Sequence, residues 1–398
     1  MGKRQSPHFK TEKIKQVKKI FIIAGEVSGD ILGADLMQSI IKKDKDVQFF
    51  GVGGVEMAKI KGFRSIFNIK DIAVMGFFEV LKNLKVIKSR IKQTAQKIID
   101  IDPDLIITID SPSFNMRVIK QVRKKLPNIK ALHYVAPQVW AWKEKRASKV
   151  AKIYDYLLCF FDFEVPYFTK HGLKTFAVGH TAIKNVVGNK SRFIKKYKLK
   201  NTDNIITMLA GSRVAMAKKL LPIYKDVAKR LSHRIKNLKI VMPATSTSYE
   251  FLKSELESWD IKPIIVKSKE DRYDAFFASK AVMAISGTAV LEVAIAGVPV
   301  IVGYKLSPLS YKIAKYLVKI KNVSLPNIIM GKSIVPEFIQ DECNAENLTA
   351  EIIRAVNDKK YREKLISNMV KMKGKIIQER APSDIGAGII CDILNEFL

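Results

Sequence analysis

The sequence predicts an α/β protein with two doubly wound domains that face each other across a cleft. Short apolar runs of strand length alternate with helix-patterned segments along the chain, as expected for parallel strands joined by crossover helices. Many of these runs end in a turn that bears glycine or aspartate and opens a helix. At 398 residues the chain is long for one α/β core, so two domains are expected.

The first half of the chain contains six candidate strands. They are Lys19–Ala24, Val47–Phe50, Asp104–Asp110, Ala131–Val135, Leu157–Phe160 and Thr175–Val178. The turn Gly25–Asp30 follows the first strand and opens a helix with Leu32, Leu36 and Ile40 at helical spacing. The polar, lysine-rich stretch Lys184–Asn204 then marks the predicted domain boundary.

The second half repeats this organisation. Its candidate strands are Ile205–Leu209, Lys239–Met242, Pro263–Val266, Ala281–Ile285 and Val300–Val302. After Tyr304 the pattern is helical up to Leu398, interrupted by a loop at Val323–Asn327. No further strand is expected there.

The segment Met283–Tyr304 has the pattern of one βαβ unit. Its turn, Ser286-Gly287-Thr288, leaves backbone N–H groups free at the N-terminus of a helix, which suits a phosphate. Glu292 lies one helical turn further on, where its carboxylate could accept a hydrogen bond from a ribose or sugar hydroxyl. An ordinary capped helix is the structural alternative.

Two groups of acidic residues flank the strand Asp104–Asp110. Asp100, Asp102 and Asp104 form a D-x-D pattern but precede the strand, so we interpret them as a solvated turn. Asp110 lies at its carboxyl end, where parallel sheets place their ligands. Asp110 is therefore the better functional candidate.

The composition excludes several classes of protein. The formal net charge is +32, from 70 basic and 38 acidic residues, but the lysines are spread through almost every predicted helix. Nucleic-acid binding is not expected, whereas attraction to acidic membranes and phosphorylated substrates is. No apolar run approaches the roughly 20 residues of a membrane span. Three dispersed cysteines without metal-type spacing indicate a cytoplasmic protein, and neither a signal peptide nor an anchor is expected.

The segment Ala73–Leu81 is unusually apolar for a connection. Phe77 and Phe78 are adjacent, so they cannot both point inward from one helix face. Either the segment is a helix buried between layers, or it is an exposed apolar patch that touches lipid. In the second case Lys82, Lys85, Lys88 and Arg90 would meet the headgroups.

The groups at the strand ends differ between the two halves. The first half offers carboxylates and histidines, which suit activation of a hydroxyl, and the second offers amides and a guanidinium, which suit a diphosphate. The groups are Gly25–Asp30, Asp110, His133–Trp142 and His180, then Gly211–Arg213, Ser286–Thr288 and Glu292. This asymmetry predicts transfer from a nucleotide-activated donor in the C-terminal domain to an acceptor in the N-terminal domain.

Each of these groups also has a structural interpretation. Asp110 could cap a helix, His133 and His180 could be hydrogen-bonded core residues, and Arg213 could pair with a helix carboxylate. The functional prediction therefore depends on their convergence. The sequence contains no G-x-S-x-G elbow and no P-loop, which argues against a serine hydrolase and a nucleotide hydrolase.

Several segments resemble those of the lipid-A-disaccharide synthases, a family of inverting glycosyltransferases (family 19). The matching segments are AGEVSGDILGADL (Ala24–Leu36), AVMGFFEVL (Ala73–Leu81), ITIDSPSFN (Ile107–Asn115), HYVAPQVWAWKEKR (His133–Arg146), VGHT (Val178–Thr181), GSR (Gly211–Arg213), SGTAVLEVAIAGVPVIVGY (Ser286–Tyr304) and VSLPN (Val323–Asn327). They follow the family's order, and the WAW block is specific to it.

The resemblance implies a fold of the glycosyltransferase B type with an acceptor-side domain at 1–184 and a UDP-sugar domain at 185–345. The helices of 346–398 would cross back or be exchanged in a homodimer. The enzyme would transfer 2,3-diacylglucosamine from its UDP derivative to 2,3-diacylglucosamine 1-phosphate, giving the β-1,6-linked lipid A disaccharide 1-phosphate and UDP. It would work as a peripheral protein on the inner face of the cytoplasmic membrane, without a cofactor or a metal.

The resemblance also implies roles for individual residues. Asp110 would be the base on the acceptor hydroxyl, and Arg213 would stabilise the departing diphosphate. The acceptor side would be lined by Glu26, Ser28 and Asp30, and the ribose of the donor would be held by Glu292. The other donor contacts would be Gly211, Ser212, Ser286, Gly287, Thr288 and Asn327. The membrane would be contacted by Phe77 and Phe78. Three departures from the family pattern affect the charge near these residues: Ser113 replaces an aspartate, Ala210 replaces a proline, and Val214–Ala217 lacks an acid.

Two other functions remain open at this level. One is a sugar transferase or epimerase that uses a UDP-sugar without acyl chains. The other is a basic, peripheral protein that binds lipid or nucleic acid and has no active site.

Overall fold

The computed structural model describes residues 17–73, 83–140, 145–211, 214–306, 311 and 322–396. The chain divides into two compact units. The first comprises Met1–Val139, Glu144–Val178 and Arg380–Leu398, and the second comprises Trp140–Lys143 and Gly179–Glu379. The predicted ranges 1–184, 185–345 and 346–398 stay a prediction.

A six-stranded parallel sheet, sheet A, forms the centre of the first unit. Its strands are β1 (Lys18–Ala24), β2 (Val47–Val52), β3 (Leu105–Ile109), β4 (Ala131–Tyr134), β5 (Tyr156–Cys159) and β6 (Lys174–Ala177). Their spatial order is β2-β1-β3-β4-β5-β6, and every pairing is parallel. All five residues of β3 are buried, as its mostly apolar sequence predicts for a central parallel strand.

Helices cover this sheet. In the described residues they are α1 (Val27–Lys43), α2 (Leu84–Ile101), α3 (Pro112–Val122), α4 (Lys145–Ala151), α5 (Val165–Thr169) and the last helix of the chain, α15 (Pro382–Asn395). Within the same unit α15 packs against α1, where Ser39 Oγ donates to Asp384 Oδ1 (2.8 Å). It also meets the start of β1, where Lys18 Nζ donates to Asn395 Oδ1 (2.5 Å). The C-terminal helix therefore completes the core of the first unit, although it is distant in sequence.

The second unit contains sheet B, also parallel and six-stranded. Its strands are β7 (Asn204–Leu209), β8 (Leu238–Pro243), β9 (Ile264–Val266), β10 (Ala281–Ala284), β11 (Val300–Tyr304) and β12 (Glu337–Ile339), in the order β12-β11-β10-β7-β8-β9. This is the strand order of dinucleotide-binding sheets, with a reversal between β7 and β10. The expectation that no strand follows Val323–Asn327 is wrong, because β12 lies there.

The described helices of the second unit are α6 to α14. They are α6 (Ala182–Asn185), α7 (Lys190–Lys196), α8 (Val214–Ser232), α9 (Tyr249–Glu257), α10 (Lys269–Ala278), α11 (Thr288–Ile295), α12 (Leu325–Met330), α13 (Ala345–Asn357) and α14 (Lys359–Ile376). Several begin at a side-chain cap, as at Ser268, whose Oγ accepts from Asp271 N (3.0 Å). Among the helices described in either unit, none is long and apolar enough to cross a membrane. The predicted fold class of two doubly wound α/β domains is confirmed.

Candidate active site

The strand order of sheet A reverses between β1 and β3. Crossover helices leave a crevice at such a point, outside the carboxyl ends of the strands, and ligands of open α/β sheets bind there. Gly25 follows β1 and Asp110 follows β3, so both lie at this reversal. The structure thus brings the predicted turn Gly25–Asp30 and the predicted base to one edge of the sheet.

Backbone strain accumulates at the end of β3. Asp110 and Ser111 both have positive φ angles, 55° and 39°, although neither is a glycine. Non-glycine residues in this region cost of order 1–3 kcal/mol each and persist only where their surroundings enforce them. The segment after β1 passes close to this turn. A Cβ on Gly25 would lie 2.1 Å from Ser111 Cβ, so only glycine fits at that position.

The turn is held by hydrogen bonds to the main chain of Asp110. Asp110 N donates to Tyr134 O (3.1 Å), and the buried amide of Asn115 donates from Nδ2 to Asp110 O (2.7 Å). The Asp110 carboxylate accepts from Ser111 N at Oδ1 (2.9 Å) and from the exposed Ser28 hydroxyl at Oδ2 (3.4 Å). The carboxylate is therefore fixed at one oxygen and only weakly held at the other, which leaves it able to accept a substrate proton.

Asp30 has a different environment. It is 4% exposed, and its carboxylate accepts from the backbone N–H groups of Gly54 (2.7 Å), Glu56 (2.9 Å) and Met57 (3.0 Å). These contacts fasten the loop after β2 to the first turn of α1, so Asp30 shapes this edge of the sheet. Glu26 precedes α1 and is half-buried. Contact of Glu26, Ser28 or Asp30 with substrate stays a prediction.

His133 lies below the site in the core of sheet A. It is fully buried, its Nδ1 forms a hydrogen bond of 2.7 Å with Thr108 Oγ1, and its ring stacks on Tyr154 at 5.0 Å. Burial lowers the pKa of His133 to about 3, so the ring is neutral at physiological pH. His180, in the second unit, accepts from Ala182 N at Nδ1 (3.0 Å), and burial lowers its pKa to about 4. The environment of His133 is that of a core histidine, whereas His180 is half-buried.

The reversal of sheet B brings two other predicted turns together. Gly211 follows β7 with a φ of 96°, a left-handed conformation that glycine adopts without strain, and Ser286 follows β10. Gly287 precedes α11, and among the described residues no side-chain cap is found there, so the N-terminus of this helix suits an anionic ligand. Ser286 Oγ donates to Val323 O (2.7 Å), which fixes this turn to the loop before α12.

Glu337 on β12 organises that loop. Its Oε2 accepts from Val323 N (2.9 Å), and its Oε1 accepts from Ser324 N (2.9 Å), Ser324 Oγ (2.5 Å) and Asn327 Nδ2 (2.7 Å). Three of these four donors meet Oε1 and one meets Oε2, so the carboxylate is almost fully bonded. Glu337 was not among the predicted site residues, because it lies on the strand that the sequence pattern did not reveal.

Asn327 is buried and fully bonded inside the same loop. Nδ2 also donates to Val335 O (2.9 Å), and Oδ1 accepts from Ile334 N (2.7 Å) and Val335 N (2.9 Å). With two donors and two acceptors satisfied, the amide has no hydrogen bond left for a ligand. The structure thus gives Asn327 a positioning role in the loop that meets Ser286.

Glu292 faces α10. Tyr273 OH donates to its Oε1 (3.1 Å), and Arg272 Nη2 approaches its Oε2 at 3.3 Å. The pair is partly buried, with 30% of the Arg272 side chain and 14% of the Glu292 side chain exposed. The carboxylate keeps some accepting capacity for a hydroxyl, so ribose binding by Glu292 stays a prediction.

Several predicted residues lie outside the described residues. They are Phe77, Phe78, Ser212 and Arg213. The described part of the chain contains no group of three or more His, Cys, Asp or Glu side chains that could hold a metal ion. Asp104, from the D-x-D pattern, lies at the opposite end of β3 from Asp110 and accepts from Lys19 N (2.7 Å).

The family model of lipid-A-disaccharide synthetase matches residues 20–387. The chain belongs to the lipid-A-disaccharide synthetase family. It is 38% identical to lipid-A-disaccharide synthase of Rickettsia typhi over 378 residues, covering 94% of this chain and 99% of the relative. It is 34% identical to that of Gluconobacter oxydans over 380 residues, covering 95% and 91%. As a member of this family it is a glycosyltransferase of lipid A disaccharide synthesis, which confirms the resemblance.

Solved structures show the same fold at much lower identity. UDP-GlcNAc 2-epimerase from Neisseria meningitidis, bound to UDP-GlcNAc, is 11% identical with a TM-score of 0.61, covering 95% of this chain and 100% of that chain. The S. aureus MnaA structure with UDP is 16% identical with a TM-score of 0.62, covering 96% of each chain. The fold of this lipid-A-disaccharide synthetase family member is therefore two Rossmann-like domains of the glycosyltransferase B type.

Proposed function

We propose that the protein transfers 2,3-diacylglucosamine from UDP-2,3-diacylglucosamine to the 6-hydroxyl of 2,3-diacylglucosamine 1-phosphate. The acceptor oxygen forms a bond to the anomeric carbon of the donor while the bond from that carbon to the UDP oxygen breaks. The acceptor proton passes to a carboxylate, and UDP leaves. One in-line attack inverts the anomeric centre, so no covalent enzyme intermediate is required.

The strained turn at Asp110 is the observation that supports this proposal most directly. Strain of this kind is concentrated at functional sites, and here it sets a weakly bonded carboxylate at the strand reversal of sheet A. Asp110 acts as the base that takes the proton of the acceptor hydroxyl. Ser28 orients its Oδ2, and Asn115 holds the turn from behind.

The donor diphosphate is proposed to bind at the strand reversal of sheet B. The open N-terminus of α11 offers backbone N–H groups and a partial positive charge, both of which favour a phosphate. Arg213, two residues after Gly211 in the sequence, would stabilise the negative charge that develops on departing UDP. Glu292 would accept from a ribose hydroxyl.

We also propose peripheral association with the inner face of the cytoplasmic membrane, because both sugar substrates carry acyl chains. Phe77 and Phe78 are the proposed apolar contacts, and the net charge of +32 favours an anionic surface. A homodimer remains part of the proposal.

A turnover assay with UDP-diacylglucosamine and diacylglucosamine 1-phosphate tests the reaction, run with and without a metal chelator. Disaccharide 1-phosphate and UDP should form in equal amounts in both conditions. Product that disappears on chelation would contradict the metal-free mechanism. Binding of the UDP-sugar without any disaccharide would contradict the transfer reaction and favour a substrate without acyl chains.

A further inference from the structure

A groove on the surface of the first unit is lined by basic side chains and is separate from the strand-end site. Its volume is about 410 Å³, within the range of small-molecule sites. The groove runs between α3 and α4 and the residues that follow each helix. Its lining comprises Met116, Lys120, Arg123, Lys124, Lys149, Lys152 and Ile153.

The charge of this lining is entirely positive. Five of its seven residues carry a cation and none carries an anion. Asp155 lies behind the groove, where its Oδ2 accepts from Arg123 Nη2 (2.6 Å) and from Ala131 N (2.9 Å). The Asp155 carboxylate neutralises one of the five positive charges. The other four repel one another, and an anion bound in the groove would reduce this repulsion.

The guanidinium of Arg123 is held in place but not fully used. Its Nη2 is fixed by Asp155, whereas its Nε is buried and has no hydrogen-bond partner among the described residues. A buried donor without an acceptor is costly, and an anion in the groove offers acceptor oxygens for the guanidinium.

Two apolar residues complete the lining. Met116 is half-buried and Ile153 is buried beside the cations. A cationic rim with an apolar base suits an organic phosphate ester better than inorganic phosphate, because the ester also has a carbon-containing part that can contact the apolar residues. We propose that this groove binds the phosphate group of an anionic ligand, either a membrane phospholipid headgroup or a soluble phosphate ester.

The position of these lysines has a competing explanation. Lys120 and Lys149 lie in the last turns of α3 and α4, where a cation interacts favourably with the helix dipole. The general positive charge of the chain could also attract anions without any particular site. The test must therefore separate this groove from other lysines at helix ends.

The groove variant carries Lys120→Gln, Lys124→Gln, Lys149→Gln and Lys152→Gln. The matched control carries the same change at exposed or half-exposed lysines in the last turns of α1 and α14, namely Lys42→Gln, Lys43→Gln, Lys373→Gln and Lys375→Gln. Both variants lose four charges from the full chain, and thermal melting should show that both are folded. Neither changes a residue of the proposed active site.

Binding is measured by co-sedimentation with phosphatidylglycerol vesicles and by calorimetric titration with glycerol phosphate. We expect the groove variant to bind at least about tenfold more weakly than the wild type in one of these assays, and the control to lose no more than about twofold. Loss in the vesicle assay alone identifies a lipid headgroup, and loss in the titration identifies a soluble ester. Equal losses in the two variants, or no binding by the wild type in either assay, would overturn the proposal.

Discussion

The strand reversals of sheets A and B occupy equivalent positions in the two domains, but the polar side chains there differ in how completely they are hydrogen-bonded. At the reversal of sheet A, Asp110 occupies a strained turn, and within the described residues one of its carboxylate oxygens meets only the Ser28 hydroxyl, at 3.4 Å. At the reversal of sheet B, the loop beside Ser286 is fixed by Glu337 and Asn327, whose side chains are almost fully bonded. The difference fits the proposed roles: the proposed base keeps one weakly bonded oxygen, whereas the loop proposed to fit the donor is rigid.

A single amide substitution should test the sheet A side most strongly. Asp110→Asn keeps the size of the side chain but removes its basicity, so turnover should fall by about 10²–10⁴-fold. Binding of UDP should be unchanged, because the change does not touch sheet B. Steady-state kinetics and UDP titration measure the two effects.

Asp104→Asn is the control for that substitution, because Asp104 flanks the other end of the same strand. The remaining carbonyl oxygen can still accept from Lys19 N, so turnover should stay near that of the wild type. Near-normal turnover of Asp110→Asn, or an equal loss in Asp104→Asn, would contradict the assignment of Asp110 as the base.

A substitution at the strand reversal of sheet B should affect binding of the UDP-sugar more than the rate of the chemical step. Glu337→Ala leaves four donors without their acceptor, at about 1–3 kcal/mol for each donor that stays buried, and it loosens the loop that holds Ser286. We expect KM for the UDP-sugar to rise by about tenfold or more, with a smaller change in kcat.

Two variants check the origin of this effect. Glu337→Gln keeps one accepting oxygen, so its KM should lie between those of the wild type and Glu337→Ala. Glu342→Gln removes the charge of an exposed carboxylate nearby and should leave KM unchanged. A fall in kcat with an unchanged KM would show that the rigidity of this loop does not serve donor binding.

The smallest effect concerns the core below Asp110. Because the pKa of His133 is about 3 in the folded state and about 6.5 when unfolded, the unfolded state binds more protons between these values. The contribution of neutral, buried His133 to the free energy of unfolding is therefore complete above pH 6.5 and is lost as the pH falls towards 3. The slope from this residue should reach up to about 1.4 kcal/mol per pH unit.

Unfolding measured between pH 7 and pH 4 tests this linkage. His133→Gln should be less stable than the wild type at pH 7 but should show a shallower decline with acid. His233→Gln changes an exposed histidine and should keep the wild-type slope. Parallel curves for the wild type and His133→Gln would mean that His133 does not titrate as its burial requires.

The sequence located most of the described fold, since eleven of the twelve strands that the structure describes appear as apolar runs with bounds within about two residues of those observed. β12 is the exception. It is three residues long, all half-buried, and one of them is Glu337, so it has neither the length nor the apolar pattern of a strand. It pairs with β11 through tertiary contacts that no local pattern encodes.

The candidate site was predicted where a residue follows a strand and missed where it acts from a distance. The sequence predicts the positions of Asp110, Ser28, Gly211 and Ser286 near the carboxyl ends of strands, and their contact with substrate stays a prediction. Asn115 holds the turn after β3 by donating to Asp110 O. Glu337 holds the loop at Val323 by accepting from Val323 N, and only folding brings either residue to its partner. The sequence does not reveal that the Asp30 carboxylate accepts from three backbone amides, and its contact with substrate stays a prediction.

The sequence alone therefore determined the alternation of strands and helices, the two parallel sheets and the family, because these depend on local periodicity and on motifs contiguous in the chain. Tertiary structure decided which polar groups are free and which are consumed. It left an oxygen of Asp110 weakly held, filled every hydrogen bond of Asn327, and gathered five cations between α3 and α4. The accepting capacity of a side chain depends on its neighbours in space, and the order of residues does not specify them.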